Sequence, residues 1–253
     1  MHQEINNPRA KCFACMRPEN SCICSFTRPI QTKSRFIILM HPKEYKKERN
    51  GTGRMTQLQL TNSEIIVGVD FTQNKHVNEL LTNENNNSFL LYPGEESFNL
   101  SLRKSSETTS FLGKNPNIFI LDGTWPCAKK MIRMSKNLQA LPRVSFDNQI
   151  QSKFIIKQQP SPLCLSTIES TYTVLNLLNT AEVENCDTTD FLLPFEKMIE
   201  NQVDYLLNPS SQNYRPNTTG TITTKNHYKK NTRRNIVFEK ERKALTKTNS
   251  QSL

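Results

Sequence analysis

Four short, uninterrupted apolar runs constrain this chain more than anything else in it. Phe36-Ile37-Ile38-Leu39-Met40, closed by His41-Pro42, is followed by Ile65-Ile66-Val67-Gly68-Val69, Phe89-Leu90-Leu91-Tyr92 and Ile118-Phe119-Ile120-Leu121. A strand with one wet face alternates apolar and polar residues, whereas a strand that is apolar at every position has both faces covered. The runs therefore predict an α/β fold, mainly a parallel sheet with flanking helices.

Three segments between and after the runs have helical spacing. One opens at Pro126, where a residue without an N–H loses nothing, and sets Ala128, Met131, Ile132 and Ser135 on one side. Its other side is basic, with Lys129, Lys130, Arg133 and Lys136 together on one exposed face. A second helix follows Leu163-Cys164-Leu165 and aligns Ile168, Tyr172, Leu175 and Leu178; a third runs from Pro194 to about Leu207. Beyond Asn208 the chain is rich in Asn, Thr, Ser and Lys and reads as mostly disordered, with Ile236-Val237-Phe238 as a docking candidate. The expected division is a cysteine-rich knuckle over 1–34, the main domain over 35–207 and a basic tail over 208–253.

Charge adds less than its sum suggests. The formal charge is +10, but ten Lys and Arg lie beyond Asn208 against only Glu239 and Glu241, so +8 belongs to the tail. An acidic partner is expected, met by a local patch rather than by the whole surface. No run of eighteen apolar residues and no secretory signal pattern is present, so no membrane contact and a cytoplasmic location are expected. No protein partner is legible.

Cys12-x2-Cys15 and Cys22-x-Cys24 place four of the seven cysteines within thirteen residues, separated by a polar segment able to turn back. Closely spaced thiolate pairs suit a tetrahedral structural zinc; a reduced metal-free cluster or a redox pair is the competing reading. Cys127, Cys164 and Cys186 read as packing thiols.

The segment Leu121-Asp122-Gly123-Thr124-Trp125-Pro126 with Ala128-Lys129-Lys130-Met131 resembles the defining motif of the DTW-domain family. The cysteine set with Arg17-Pro18, then His41-Pro42-x-Glu44, Thr52-Gly53-Arg54, Leu91-Tyr92-Pro93-Gly94 and Ser166-Thr167-Ile168-Glu169 follow that family's pattern in order, over residues 12–207. The resemblance implies a tRNA-uridine aminocarboxypropyltransferase with a SPOUT-like, knotted fold, S-adenosylmethionine as donor and tRNA as partner. The product it implies is 3-(3-amino-3-carboxypropyl)uridine, with methylthioadenosine released. A SPOUT-like RNA methyltransferase and a non-enzymatic, zinc-dependent RNA-binding module are the alternatives.

Transfer to uridine N3 requires proton removal and orientation, because the sulfonium already supplies the driving force. Asp122, at the end of a buried strand, is the candidate base or orienting acceptor, with a loop-anchoring acid as the plain reading. Trp125 is either a stacking plane for a base or a core residue, and Thr124 either a ligand donor or a helix cap. Ser166, Thr167 and Glu169 form a capping box whose helix N-terminus could hold the ligand carboxylate through its amides. Pro93 and Gly94 are candidates for close approach to adenosine or for a plain turn, Leu121 for substrate or cofactor binding, and His41 and Glu44 for a ligand contact or a turn. Lys157, where the family often has Arg, is a candidate for the methionine carboxylate, and Lys129, Lys130, Arg133 and Lys136 for an RNA phosphate track.

Overall fold

The computed structural model describes residues 10–47, 50–156, 161 and 163–207. The sequence candidates Lys157 and Ile236-Val237-Phe238, and the whole tail beyond Leu207, lie outside them. Among the described residues six strands, β1 (Arg35–Met40), β2 (Ser63–Val67), β3 (Ser88–Leu91), β4 (Phe98–Asn99), β5 (Asn117–Asp122) and β6 (Arg143–Ser145), pair in the order β2-β1-β5-β3-β6-β4. Every pairing is parallel, with Met40 opposite Asp122 and Leu91 opposite Ile120 at the carboxyl ends.

Among the described residues eight α-helices accompany the strands, α1 (Pro42–Lys47), α2 (Thr52–Gln59), α3 (Lys75–Thr82), α4 (Ser105–Leu112), α5 (Trp125–Met134) and α6 (Lys136–Gln139) between them and α7 (Thr167–Thr180) and α8 (Leu193–Leu207) after β6. Contacts divide the chain into two units, Met1–Asp204, which carries all six strands, and Tyr205–Leu253, where the description stops at Leu207. No helix among the described residues is long and apolar enough to cross a membrane.

The apolar runs explain the layering. Successive residues of a strand point to opposite faces, so Phe36, Phe89, Ile118 and Ile120 enter one core with Leu175 and Leu178 of α7. Ile37, Leu39, Leu90 and Phe119 enter the other, with Val77 of α3 and Met131 of α5. The second run is different: β2 is an edge strand, half-buried, and it starts at Ser63 and stops at Val67, so Gly68 and Val69 fall outside it.

The basic helix also differs from its expected form. It opens at Trp125, with Pro126 in the second position, and ends at Met134, so Lys136 lies on α6 and not on one helical face with Lys129, Lys130 and Arg133. The break has a cause in Ser135, whose Oγ is fully buried and accepts from the Phe71 N–H at 2.9 Å. The knuckle is tied to the main core: Cys15 and Ile23 are buried in the cluster that holds Phe36 and Ile118.

Candidate functional site

A cavity of about 600 Å³ opens at the carboxyl ends of β5, β3 and β6, the edge where parallel α/β sheets gather ligands. Its wall includes Leu121, Asp122, Gly123, Thr124 and Trp125 from the end of β5 onward, Tyr92 and Pro93 after β3, and Ser145 and Phe146 at the end of β6. The segment Leu163-Cys164-Leu165 and the first residues of α7, Ser166 and Thr167, close another side; Glu44 and Thr52 contribute from α1 and α2.

Asp122 is 5% exposed and stands between two helix beginnings. Its Oδ1 accepts the Thr167 hydroxyl at 2.6 Å, at the first residue of α7. Its Oδ2 faces Gly53 in the first turn of α2, where a Cβ would lie 2.6 Å away. Helix N-termini favour negative charge, so both neighbours stabilise the ionised carboxylate. Behind it, the His41 N–H donates to the Asp122 carbonyl at 2.8 Å. Burial and the charge of Lys43, with a further contribution from Lys130, hold the His41 imidazole below its ordinary pKa against an opposing pull from Glu44.

Trp125 is not a core residue. It is 37% exposed at the cavity wall, its ring centroid 6.4 Å from that of Tyr92. The Arg143 guanidinium lies 5.7 Å from the Tyr92 ring centroid. Gly94 makes room for that arginine, since a Cβ there would be 3.1 Å from Nη1. Thr124 is the residue before α5, but its side chain makes no capping hydrogen bond.

The remaining candidates separate. Thr124, Trp125, Pro93, Leu121, Ser166 and Thr167 line the cavity with Asp122, whereas Gly94, His41 and Glu169 are not part of its wall. Glu169 is occupied by its own chain: Oε2 accepts from the Ser166 N–H and hydroxyl at 2.8 and 2.6 Å and from the Ser152 hydroxyl at 2.8 Å, and Oε1 from the Lys153 N–H at 2.7 Å. It binds the 152–154 segment to the start of α7. Lys129, Lys130, Arg133 and Lys136 are exposed. Sequence reasoning quoted Gly53 and Tyr92 within motif segments without giving either a site role, and it did not single out Arg143; the glycine inside the helix-starting Thr52-Gly53-Arg54 was the available signal for the first.

The cysteine knuckle has the geometry its spacing suggested. Met16 at φ 60° turns the chain so that its N–H reaches the Cys12 carbonyl and the Cys12 N–H reaches the Arg17 carbonyl, both at 2.8 Å. Cys12 and Cys24 sulfurs are 3.5 Å apart, Cys15 and Cys22 3.7 Å, and all four fall within 4.8 Å of one another. Four sulfurs bound tetrahedrally at ~2.3 Å lie ~3.8 Å apart, so the set fits a zinc ion. The backbone N–H groups of Cys15 and Ala14 hold the Cys12 thiol down to about 6, while burial pushes Cys22 and Cys24 up.

The model of the DTW domain matches residues 9–203. The chain is 26% identical over 204 residues to a Mus musculus protein named tRNA-uridine aminocarboxypropyltransferase 2, an alignment covering 78% of this chain and 65% of that one, so it spans just under two thirds of that relative. A Drosophila melanogaster protein of the same name is 32% identical over 177 residues, 68% of each chain. No solved structure matches significantly. With a family model covering both the cysteine knuckle and the Asp122 cavity, the chain belongs to the DTW domain family.

Proposed function

We propose that this chain transfers the 3-amino-3-carboxypropyl group of S-adenosylmethionine to N3 of a tRNA uridine, giving acp3U and methylthioadenosine. The observation that carries the reading is the buried Asp122, held by Thr167 at a cavity large enough for the donor and rimmed by the exposed plane of Trp125. The names of the two relatives support the substrate class.

In this reading Asp122 receives the N3 proton as the N3–Cγ bond forms and the Cγ–sulfur bond breaks, leaving methylthioadenosine as a neutral thioether. Thr167 fixes the carboxylate, and the N-terminal amides of α7 are the proposed seat of the donor carboxylate, with Lys157, outside the described residues, as a further candidate. Trp125 stacks on the base or on the adenine. Lys129, Lys130, Arg133 and Lys136 bind phosphates, so affinity falls with salt. Zinc, held by Cys12, Cys15, Cys22 and Cys24, supplies stability to the knuckle and no chemistry to the transfer. A SPOUT-like knotted chain path belongs to the same reading, consistent with the all-parallel sheet.

The test is incubation of purified protein with S-adenosylmethionine and unmodified tRNA, followed by mass spectrometry of nucleosides and co-product. Methylthioadenosine with acp3U is expected. S-adenosylhomocysteine with a methylated base would overturn the reaction, and activity that persists in Asp122→Ala would overturn the site.

A further inference from the structure

Two arginine-on-tyrosine stacks follow the two strands that flank β5, the strand that ends at Asp122. The strand order fixes their placement: β1 and β3 flank β5, so residues following β1 and β3 border Asp122 from opposite sides of the sheet's carboxyl edge. After β1, Tyr45 follows the wall residue Glu44; it is 44% exposed, and the Arg54 guanidinium sits 4.2 Å from its ring centroid. Arg54 is held there by a hydrogen bond of 3.2 Å from Nη2 to the Tyr45 carbonyl. After β3, Tyr92 carries Arg143 at 5.7 Å and has Trp125 at 6.4 Å between ring centroids.

Among the described residues neither Arg54 nor Arg143 has a carboxylate within ion-pair distance. Each is positioned on a tyrosine ring. Lys43 and Lys46 of α1 and Lys129, Lys130 and Arg133 of α5 are exposed, and the two helices follow the neighbouring strands β1 and β5.

The geometry points to a clamp for single-stranded RNA, in which Tyr45–Arg54 and Tyr92–Arg143 stack on the bases flanking the nucleotide that enters the cavity. The inference rests on the proposed reaction. N3 lies on the pairing edge of uracil, so a reacting uridine is unpaired and withdrawn from its stack, and its neighbours lose a stacking partner. Aromatic and guanidinium planes replace such partners at each side, while the lysines neutralise the phosphates between them.

The experiment is fluorescence anisotropy with the full chain, using a short single-stranded RNA containing one uridine, the same RNA with abasic flanks, and a duplex RNA of equal length. Tyr45→Ala and Arg143→Ala are each expected to weaken single-stranded binding about tenfold and to leave duplex binding within about twofold. Tyr45→Phe, which keeps the ring, is expected to bind like the parent, and abasic flanks are expected to reproduce the loss. Equal binding by parent and alanine variants, or equal weakening for duplex and single strand, would overturn the clamp. If the parent binds through these residues yet forms no acp3U with tRNA, the clamp stands and the proposed reaction fails; if it forms acp3U while the variants bind normally, the clamp alone fails.

Discussion

The first turn of α2 meets the Asp122 carboxylate at a residue without a side chain: a Cβ at Gly53 would lie 2.6 Å from Asp122 Oδ2, 2.8 Å from its Cγ and 2.9 Å from Met40 Cε. None of these atoms can retreat easily, because Asp122 is also held through Oδ1 by Thr167 and Met40 is buried in the sheet. Gly53→Ala is therefore expected to displace the carboxylate. A shift of about 1 Å in a reacting group costs on the order of a hundredfold in rate. Overpacking is expected to cost about 1–3 kcal/mol of stability. Single-turnover transfer and urea unfolding measure the two; an unchanged transfer rate would show that the carboxylate position does not matter.

Thr167 links the start of α7 to the end of β5 through its 2.6 Å bond to Asp122 Oδ1. Thr167→Val keeps the shape and removes the donor, so Asp122 is less well oriented and its ionised form less favoured. Transfer is expected to fall roughly tenfold, in line with a lost hydrogen bond to a charged group at about 1.5 kcal/mol. Asp122→Asn is expected to lose about 10²–10⁴, the range of a missing general base. If Asp122→Asn retained most of the parent rate, proton removal would belong to another group.

Glu169 illustrates a residue whose motif resemblance and whose geometry separate. Four donors converge on it from Ser152, Lys153 and Ser166, and it is buried. Glu169→Ala strands those donors and is expected to destabilise the fold by on the order of 3 kcal/mol. Conditions that keep the variant folded are expected to restore the parent affinity for S-adenosylmethionine, read by isothermal titration. Lost affinity in a fully folded variant would place Glu169 in ligand binding.

The His41 imidazole is held below its ordinary pKa by burial and by Lys43. The unfolded chain then takes up a proton before the folded one as pH falls. The neutral imidazole's contribution is thus present above the unfolded pKa and lost as pH drops from there through the lower folded value. Chemical denaturation between about pH 7 and 5 is expected to show a slope that His41→Gln reduces. Identical slopes would assign the pH dependence elsewhere.

Legibility followed burial. β1, β3 and β5 were readable because both of their faces enter a core, so the apolar run and the strand nearly coincide. β2, at an edge, tolerates Ser63 and Glu64, which displaced its reading by two residues. β4 and β6 escaped because they have two and three residues, and Arg143-Val144-Ser145 buries only its middle side chain. The helix break before Lys136 rests on a tertiary bond from Phe71 to Ser135, which no local pattern carries. Asp122 was legible through its neighbours in sequence; its partners Gly53 and Thr167 arrive from other elements, and their contacts follow from the packing of α2 against α7.

Arg17 stands beside the four thiols with 4% exposure, and its Nη2 is buried with no hydrogen-bond partner among the described residues. Its guanidinium interacts electrostatically with Cys15 and Cys22. Four thiolates around Zn²⁺ leave a net charge of about −2, and a buried cation next to such a site stabilises the bound state. Arg17→Ala is expected to weaken zinc binding about 10–100-fold in competition with a chromophoric chelator. Because Cys15 belongs to the same core as Phe36, zinc removal is expected to lower the melting temperature of the main fold as well. Cys15→Ser should reproduce that fall, and adding chelator to the Cys15→Ser variant should lower it no further. A chelator effect of equal size in parent and Cys15→Ser would mean that the metal acts elsewhere, and unchanged affinity in Arg17→Ala would leave its buried guanidinium a packing element alone.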